Sequence, residues 1–501
     1  MKNKVLNCIF IAVFMTILVV PALFINTKKM QVSVIDNKNL TEWPGLTWTL
    51  STRAEIENYV DDRIGFRESA INSYIEMNDK LFHVMVHPLF MYGKDGHIFY
   101  KDPDYITAYQ RLNTNTEYLD SFVGFLQDTK DYLDSKDIEF LYFLCPDKKT
   151  IYSEYFPESI HVNTANTSVT DYMEEKLAQT DIEYIIPVDQ LLEAKKSQVV
   201  YNKLYDATHW NEFGAFVGHK LIDEHIQKWF SDVPKLTEDA YDLNFVTMET
   251  LDIAKFPILD EVPVYTLKTD TSQDATDYLM PYLQCTTTTF YSHYINPDCP
   301  NNEVLLVFTD SYFGNYQRYY NNRFKEVYFV HRQNYDYLQY FVNLVFPDAV
   351  IFETAERSIS SEMPIMADFK DYFYEAPYTG TGNYRKSEDL SFALTSVSGV
   401  RRDGSTLYLN PETGENIILF GGMFRAKDQT ADYEIYAKVG DTYIEAEYCA
   451  LHRTAEFDGI HEFAVSVQRR YMAEGEIQLI AVNKETKEEY CLETFEVIYG
   501  Q

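Results

Sequence analysis

Two short stretches of this chain carry residue types that together perform acyl chemistry. In DATHWN, Asp206 stands three residues before His209, and in VLLVFTDSYFGNY the pair Asp310-Ser311 follows a strongly apolar run. An imidazole titrates near neutrality and serves as a general base, while a carboxylate on its other ring nitrogen fixes the tautomer. A serine hydroxyl becomes a nucleophile only when such a base reaches it. The two stretches therefore need each other. Each also has a plain structural alternative. Thr208 or Asn211 can cap the apolar-periodic helix that follows, with Asp206 complementing its positive end, and Ser311 can cap the helix after its own strand. Taken alone, DATHWN reads better as a cap, because capping asks for the same residue types.

The elements that must position these residues are legible as a pattern. IEFLYFLCP, IEYIIPV, VLLVFTDSY, EVYFVH and AVIFE are short apolar runs with helix-compatible segments between several of them. Such runs suit parallel strands buried on both faces, and an open α/β sheet gathers reactive groups at its strand ends. Upstream, EIENYVDDRIGFRESAINSYIEMNDKLF has the spacing of a helix packed by one face, LFMYGKDGHIFY reads as strand with a turn at Lys94-Asp95-Gly96, and YLDSFVGFLQDTKDYLDSK reads as helix. The composition changes near EAPYTGTGN; beyond it seven short alternating runs predict an antiparallel β-sandwich of roughly a hundred residues. The expected division is 1–28, 29–384 and 385–501, the last a candidate carbohydrate-binding domain.

At the N-terminus, Lys2 and Lys4 precede an uncharged run, 5–25, long enough at helical rise to cross a bilayer. Positive charge stays inside, so the remainder is expected outside the cell membrane. VVPALFINTKK offers no clean small-residue cleavage site, which favours an uncleaved anchor over a signal peptide. With 43 Lys+Arg against 77 Asp+Glu the formal net charge is −34, which repels phosphate backbones and argues against a nucleic-acid partner. Cys145, Cys285, Cys299, Cys449 and Cys491 lie beyond the anchor without C-x-x-C spacing, so structural zinc and thioredoxin chemistry lack support. Export permits disulfides, and spacing does not choose among them. HVMVH places His83 and His87 at i,i+4 but lacks the glutamate of H-E-x-x-H, and no metal site is expected.

TDSY resembles the nucleophile block of SGNH-family esterases and DATHWN their Asp-x-x-His block, except that the serine comes last in the chain. That permuted order resembles the AlgX/AlgJ group of alginate O-acetyltransferases and related DHHW-type exported proteins. NLTEWPGL, YVDDRIGFRE, YGKDGHIFY, FLCPDKKTIYSEYFP, DATHWNEFGA, FTDSYF and PDAVIFETAER agree with it in order, over roughly residues 38 to 360. The resemblance implies a three-layer SGNH-hydrolase-like α/β domain. Within it Ser311 would be the nucleophile, His209 the base and Asp206 the orienting carboxylate. It implies an acetyl-serine intermediate, a polysaccharide acceptor, and acetyl groups supplied through a membrane-bound O-acyltransferase instead of a cofactor bound here. Two departures stand out: Thr309 replaces the glycine usual before Asp-Ser, and the Asp-to-His spacing is one longer than in the alginate proteins. Arg332 in VHRQNYDY is a candidate oxyanion stabiliser by its position after the nucleophile, with an ordinary surface salt bridge or a capping role as its alternative. Trp210 and Tyr312 are the aromatic candidates to face a sugar, though a Trp beside a helix start is more often scaffold. The same residues would serve a carbohydrate esterase, and a non-catalytic glycan-binding protein is the competing class.

Overall fold

A computed structural model describes residues 2–27, 32–33, 38–45, 52–87, 89–112, 114–251, 257–359, 378, 380–385, 390–409, 416–426, 428, 431–452, 460–472 and 475–499. Its centre is a sheet whose strands are β3 (Glu139–Cys145), β4 (Tyr184–Ile185), β7 (Gln273–Asp274), β8 (Ser292–Ile295), β9 (Val304–Thr309), β10 (Glu326–His331) and β11 (Ala349–Ala355). Their order is β4-β3-β11-β9-β10-β8-β7. The first five run parallel, and β8 turns the edge antiparallel. The central strands are near-continuously apolar because both faces are covered. One face packs Phe122 and Leu126 of α4 (Thr116–Asp134) against Leu306, Phe308, Val350 and Phe352. α5 (Val169–Leu177) joins that face through Met173, while the other face packs Leu191 of α6 (Val188–Ala194) and Phe216, Ile222 and Ile226 of α7 (Glu212–Trp229) against Phe143, Leu305, Val307 and Ile351. Helices, sheet and helices make three layers, and the carboxyl ends of β3, β9 and β11 open at one edge.

Two features depart from the expected pattern upstream. The single helix read from residue 55 onward is broken into α2 (Thr52–Arg63) and α3 (Arg67–Phe82), because Phe66 takes a left-handed conformation (φ 61°) at the junction. No described side chain of α3 is fully buried, but its half-buried residues Arg67, Ile71, Ile75, Asn78 and Asp79 share one face, and Ile75 packs against the cluster of Met85, Phe90 and Ile98. The HVMVH segment is not helical either: His83 terminates α3 at φ 52°, which removes the i,i+4 relation of His83 to His87. The hairpin β1 (Phe90–Tyr92) and β2 (Ile98–Tyr100) turns through Lys94-Asp95-Gly96. A second, longer hairpin, β5 (Tyr241–Thr250) with β6 (Pro257–Leu267), has no counterpart in the sequence reading. Ahead of all these, α1 (Lys2–Leu23) contains a 20-residue stretch long and apolar enough to cross a membrane, with none of it buried in the protein. All six cysteines are free thiols.

The C-terminal region is two sheets face to face. Residues Leu407, Ile435, Leu479 and Phe495 from one meet Ile418, Phe420, Phe463 and Val465 from the other in a single core. Pairing is mostly antiparallel, as the alternation predicts, but the last strand, Glu489–Tyr499, runs parallel to Thr406–Leu409 and to Tyr384–Arg385. The expected boundary near 385 adjoins residues 386–389, which lie outside the described set. A polar seam joins the two regions. Gln468 Nε2 donates to Leu344 O at 2.8 Å, Asn416 Nδ2 to Tyr278 O at 2.7 Å, and Arg470 pairs with Glu326 and reaches Tyr328 Oη at 2.9 Å.

Burial opposes the charge on Glu326, but His293, Arg470 and Tyr328 outweigh it and hold the carboxyl down at about 2. A carboxyl held lower in the folded chain stabilises the fold above its ordinary value of 4.5, and that contribution disappears as pH falls towards about 2. Arg470→Met is expected to lower the unfolding midpoint at neutral pH and to flatten its dependence on pH across that window, as followed by intrinsic fluorescence. An unchanged pH dependence would remove the seam from the account of acid stability.

Candidate active site

The turn that carries Ser311 is built by buried hydrogen bonds at the end of β9. Asp310 N–H donates to Glu353 Oε2 at 2.8 Å, and the Thr309 hydroxyl donates to the same oxygen at 3.0 Å. Thr309, in the place of the motif glycine, thus ties the strand end to β11. Burial, reinforced by the charge of Asp310, pushes the Glu353 carboxyl well above the usual range, which keeps it neutral in the sheet. Asp310 itself stays charged: burial is outweighed by Arg332 and Arg357, and its pKa is lowered. Its Oδ1 accepts from Tyr312 N–H at 2.9 Å, and its Oδ2 accepts from Ala355 N–H and from Arg332 Nε, both at 3.2 Å. These bonds leave Asp310 no part in the histidine pair and fix the turn from which Ser311 projects.

Asp206 and His209 sit on a loop without regular structure that enters α7. Asp206 adopts a left-handed conformation (φ 62°), one that Asp tolerates better than most residues. Its Oδ1 accepts from the backbone N–H groups of Thr208 (2.8 Å) and His209 (3.0 Å), and its Oδ2 meets His209 Nδ1 at 2.7 Å. This folded-back turn is why a D-x-x-H spacing brings the two side chains together. Burial opposes the Asp206 charge, but the His209 ring and the two backbone donors hold its carboxyl well below the usual carboxylate range. The cap is real as well: Asn211, not Thr208, accepts from Phe213 N–H (3.1 Å) and Gly214 N–H (3.2 Å) at the start of α7. The helix start and the loop that joins Asp206 to His209 therefore occupy one short stretch.

The two stretches, about a hundred residues apart in sequence, meet at the sheet edge. His209 Nε2 lies 2.8 Å from Ser311 Oγ. The carboxylate, imidazole and hydroxyl form one hydrogen-bonded chain, with the His209 and Asp206 side chains 21% and 17% exposed and so within reach of solvent. The network implies the tautomer: Nδ1–H donates to Asp206, leaving Nε2 unprotonated as the acceptor facing the Ser311 hydroxyl.

Arg357 completes the cluster and was not singled out from the sequence. It follows β11, its Nη2 donates to His209 Nε2 at 3.0 Å, its Nη1 pairs with Asp147 Oδ1, and its guanidinium lies 5.2 Å over the Tyr312 ring. In CPDKKTIY, which follows a strand, the sequence suits an approach to the site and a solvated turn equally; in the structure Asp147, Lys148 and Lys149 are almost wholly buried. Lys149 pairs with Glu356 Oε1 at 2.5 Å and with Asp147 Oδ2 at 3.3 Å.

Three sequence candidates take other positions. Arg332 is engaged by Asp310 at 3.2 Å, so it braces the turn instead of pointing at a reacting oxygen. Trp210 is 3% exposed, its Nε1 donates to Tyr312 O at 3.2 Å, and it stacks on Phe313 at 6.1 Å; the packing alternative is the one observed. A Cβ on Gly218 would come within 2.8 Å of its ring, so glycine at that turn of α7 lets the helix close over Trp210. Tyr312 is wholly buried, with its hydroxyl within 3.1 Å of Pro146 O, Asp147 Oδ1 and Thr208 O. Neither ring offers a face to a sugar.

Residues 90–277 match the family model of the SGNH hydrolase-like domain of acetyltransferase AlgX. The chain carries an AlgX-like domain. The matched stretch includes Asp206 and His209 and ends before Ser311, which the fold itself brings to the AlgX-like segment. No curated protein matches in sequence. Among solved structures, Bacillus cereus PatB1 is 16% identical with a TM-score of 0.41, covering 54% of this chain and 96% of its own. PatB1 with a sulfonyl adduct gives 17%, 0.42, 56% and 98%, in the same order. The O-acetyltransferase domain of Pseudomonas putida AlgJ is 16% identical with a TM-score of 0.37, covering 55% of this chain and 94% of its own.

Proposed function

We propose that the AlgX-like domain is a serine-dependent O-acetyltransferase that moves acetyl groups onto hydroxyls of an exported polysaccharide. The observation that carries this reading is the continuous chain from Asp206 through His209 to Ser311, with contacts of 2.7 and 2.8 Å. His209 Nε2 takes the Ser311 proton as Oγ attacks the acetyl carbonyl; the donor's bond to the acetyl group breaks, and the leaving group departs with that proton. An acetyl-serine remains. A sugar hydroxyl then gives its proton to Nε2 and attacks the acetyl carbon, and Ser311 Oγ leaves and is reprotonated. The Ser311 N–H and the Arg357 guanidinium are the proposed stabilisers of the tetrahedral oxyanion.

The N-terminal helix suits a single-pass anchor that holds the domain at the outer face of the cell membrane, where a membrane-bound O-acyltransferase would supply the acetyl group. The β-sandwich beyond residue 385 is the proposed hold on the acceptor chain. Water in place of sugar would give esterase chemistry with the same residues, so acceptor competition is the deciding measurement. Full-length protein in detergent, given an acetyl-ester reporter, is expected to form acetylated Ser311, and added oligosaccharide is expected to divert acetyl from acetate to sugar ester, as read by mass spectrometry. Reporter cleavage without sugar ester for any of a panel of polysaccharide fragments would favour the esterase. No acetylated protein and no turnover would leave only the binding-protein reading.

A further inference from the structure

The loop that carries Asp206 is gripped by two oppositely charged side chains from elsewhere in the fold. Lys148 is wholly buried, and its Nζ donates to Asn202 O (2.6 Å), Lys203 O (3.1 Å) and Asp206 O (3.3 Å), as well as to Ile98 O (2.9 Å) of β2. Asp260, on β6 of the long hairpin, accepts through one oxygen, Oδ2, from Leu204 N–H (2.7 Å) and Tyr205 N–H (2.9 Å). Lys203 O and Leu204 N–H belong to a single peptide group. In a trans peptide these point in opposite directions, so the cation and the anion hold the same peptide plane from its two sides.

Residues 201–210 form no helix or strand, so this stretch has no ladder of its own to define it. Its polar backbone groups must be satisfied by something, and charged partners make the stronger bonds. The ammonium suits the carbonyl cage because Lys supplies three donors and no acceptor. Burial draws Lys148 down to about 7, with Asp206 and Asp260 acting to hold it up. The hairpin is also packed against the loop: Leu251 is buried in one cluster with Ala207, Ile98 and Phe90, and Ile258 lies against it.

We propose that Lys148 and Asp260 are paired positioning residues that set the Asp206 carboxylate against His209, and through it the base against Ser311. Neither touches substrate in the proposed reaction. Their effect comes through loop 202–206, whose last residue must hold a left-handed conformation to turn its carboxylate back onto the imidazole. The proposal rests on the acyl-transfer reading of the site, and it makes the long hairpin part of the machinery that shapes the triad.

Asp260 is the cleaner of the two to vary, since it lies partly exposed on the hairpin while Lys148 is in the interior. With the full-length chain and an acetyl-ester reporter, Asp260→Ala is expected to lower kcat by about tenfold to a hundredfold. KM should stay within about twofold of wild type, because the loss concerns the base and not reporter binding. Asp260→Asn, whose amide oxygen still accepts from both N–H groups, should recover most of the loss. Lys148→Met should lower kcat in the same way if it folds. Wild-type kcat in Asp260→Ala would overturn the proposal, and so would a loss that Asp260→Asn fails to relieve or that falls on KM. Ser311→Ala in the same series separates the two levels: equal turnover by wild type and Ser311→Ala would remove the reading underneath, whereas a dead Ser311→Ala beside an unaffected Asp260→Ala removes the clamp alone.

Discussion

Ser311→Ala is expected to lower reporter turnover by roughly a thousandfold or more, with His209→Ala close behind and the double variant no worse than either. The non-additivity is the informative part. If Ser311 Oγ and His209 Nε2, 2.8 Å apart, act as one unit, removing either leaves the other without a task. Asp206→Asn belongs to the same series and tests the tautomer: an amide facing Nδ1 can present its NH2 group, turn the imidazole proton towards the serine and abolish base action while leaving the loop folded. Thermal midpoints should move little for Ser311→Ala, since a small, partly exposed side chain away from the core is worth a few tenths of a kcal/mol. Losses that add across the double variant, or that follow the midpoint downward, would mean that the hydrogen-bonded chain is scaffold.

The sheet was legible because its strands are buried on both faces, so five runs such as VLLVFT and AVIFETA stand out as apolar blocks without alternation. The sandwich was legible for another reason, since short strand-like runs such as STLYLN and DYEIYAKV follow one another with turn residues between them. The hairpin at 241–267 was not. β5 is exposed along nearly its whole length, and its short YDLNF alternation stands alone, with no glycine or asparagine between it and β6 to mark a hairpin turn. The break between α2 and α3 was missed because helical apolar spacing continues across Gly65 and Phe66, while the left-handed turn there is a conformational fact that periodicity does not encode.

At the site, the residues on motif-bearing loops were found and those on their supports were not. Asp206, His209 and Ser311 are reactive types in compact, recognisable stretches. Trp210 and Tyr312 share those stretches but face inward, and sequence adjacency to a nucleophile says nothing about which way a ring points. For Lys148 and Lys149 the sequence did not choose between an approach to the site and a solvated turn, since lysine is seldom wholly buried. The carbonyls of residues 98, 202, 203 and 206, converging from separate segments, make burial tolerable for Lys148, and the carboxylates of Glu356 and Asp147 do so for Lys149. One signal did exist for Arg357: it follows AVIFETAE, an apolar strand of the same kind as VLLVFT, and in such sheets the residues just past the strand line the reactive edge.

Arg357 is the residue whose removal should cost most after the three linked residues themselves. Its guanidinium spans two tasks, pairing with buried Asp147 on one side and reaching His209 Nε2 at 3.0 Å on the other. When Nε2 takes the serine proton that contact becomes a donor facing a donor, so the guanidinium is displaced towards the oxygen on which negative charge is then developing. Arg357→Met is accordingly expected to lower kcat by about a hundredfold to a thousandfold. Arg357→Lys keeps a charge but loses the planar fork and should recover only part of that. The competing explanation is structural, since a buried Asp147 that loses Arg357 keeps only Lys149 as a cationic partner, and breaking a buried ion pair destabilises a fold by up to roughly 3–5 kcal/mol. Adding Asp147→Asn to Arg357→Met separates the two. It removes the stranded charge, so the midpoint should return most of the way to wild type, while turnover should stay low because nothing has replaced the guanidinium beside His209. Turnover that recovers together with the midpoint would show that Arg357 serves only to neutralise Asp147.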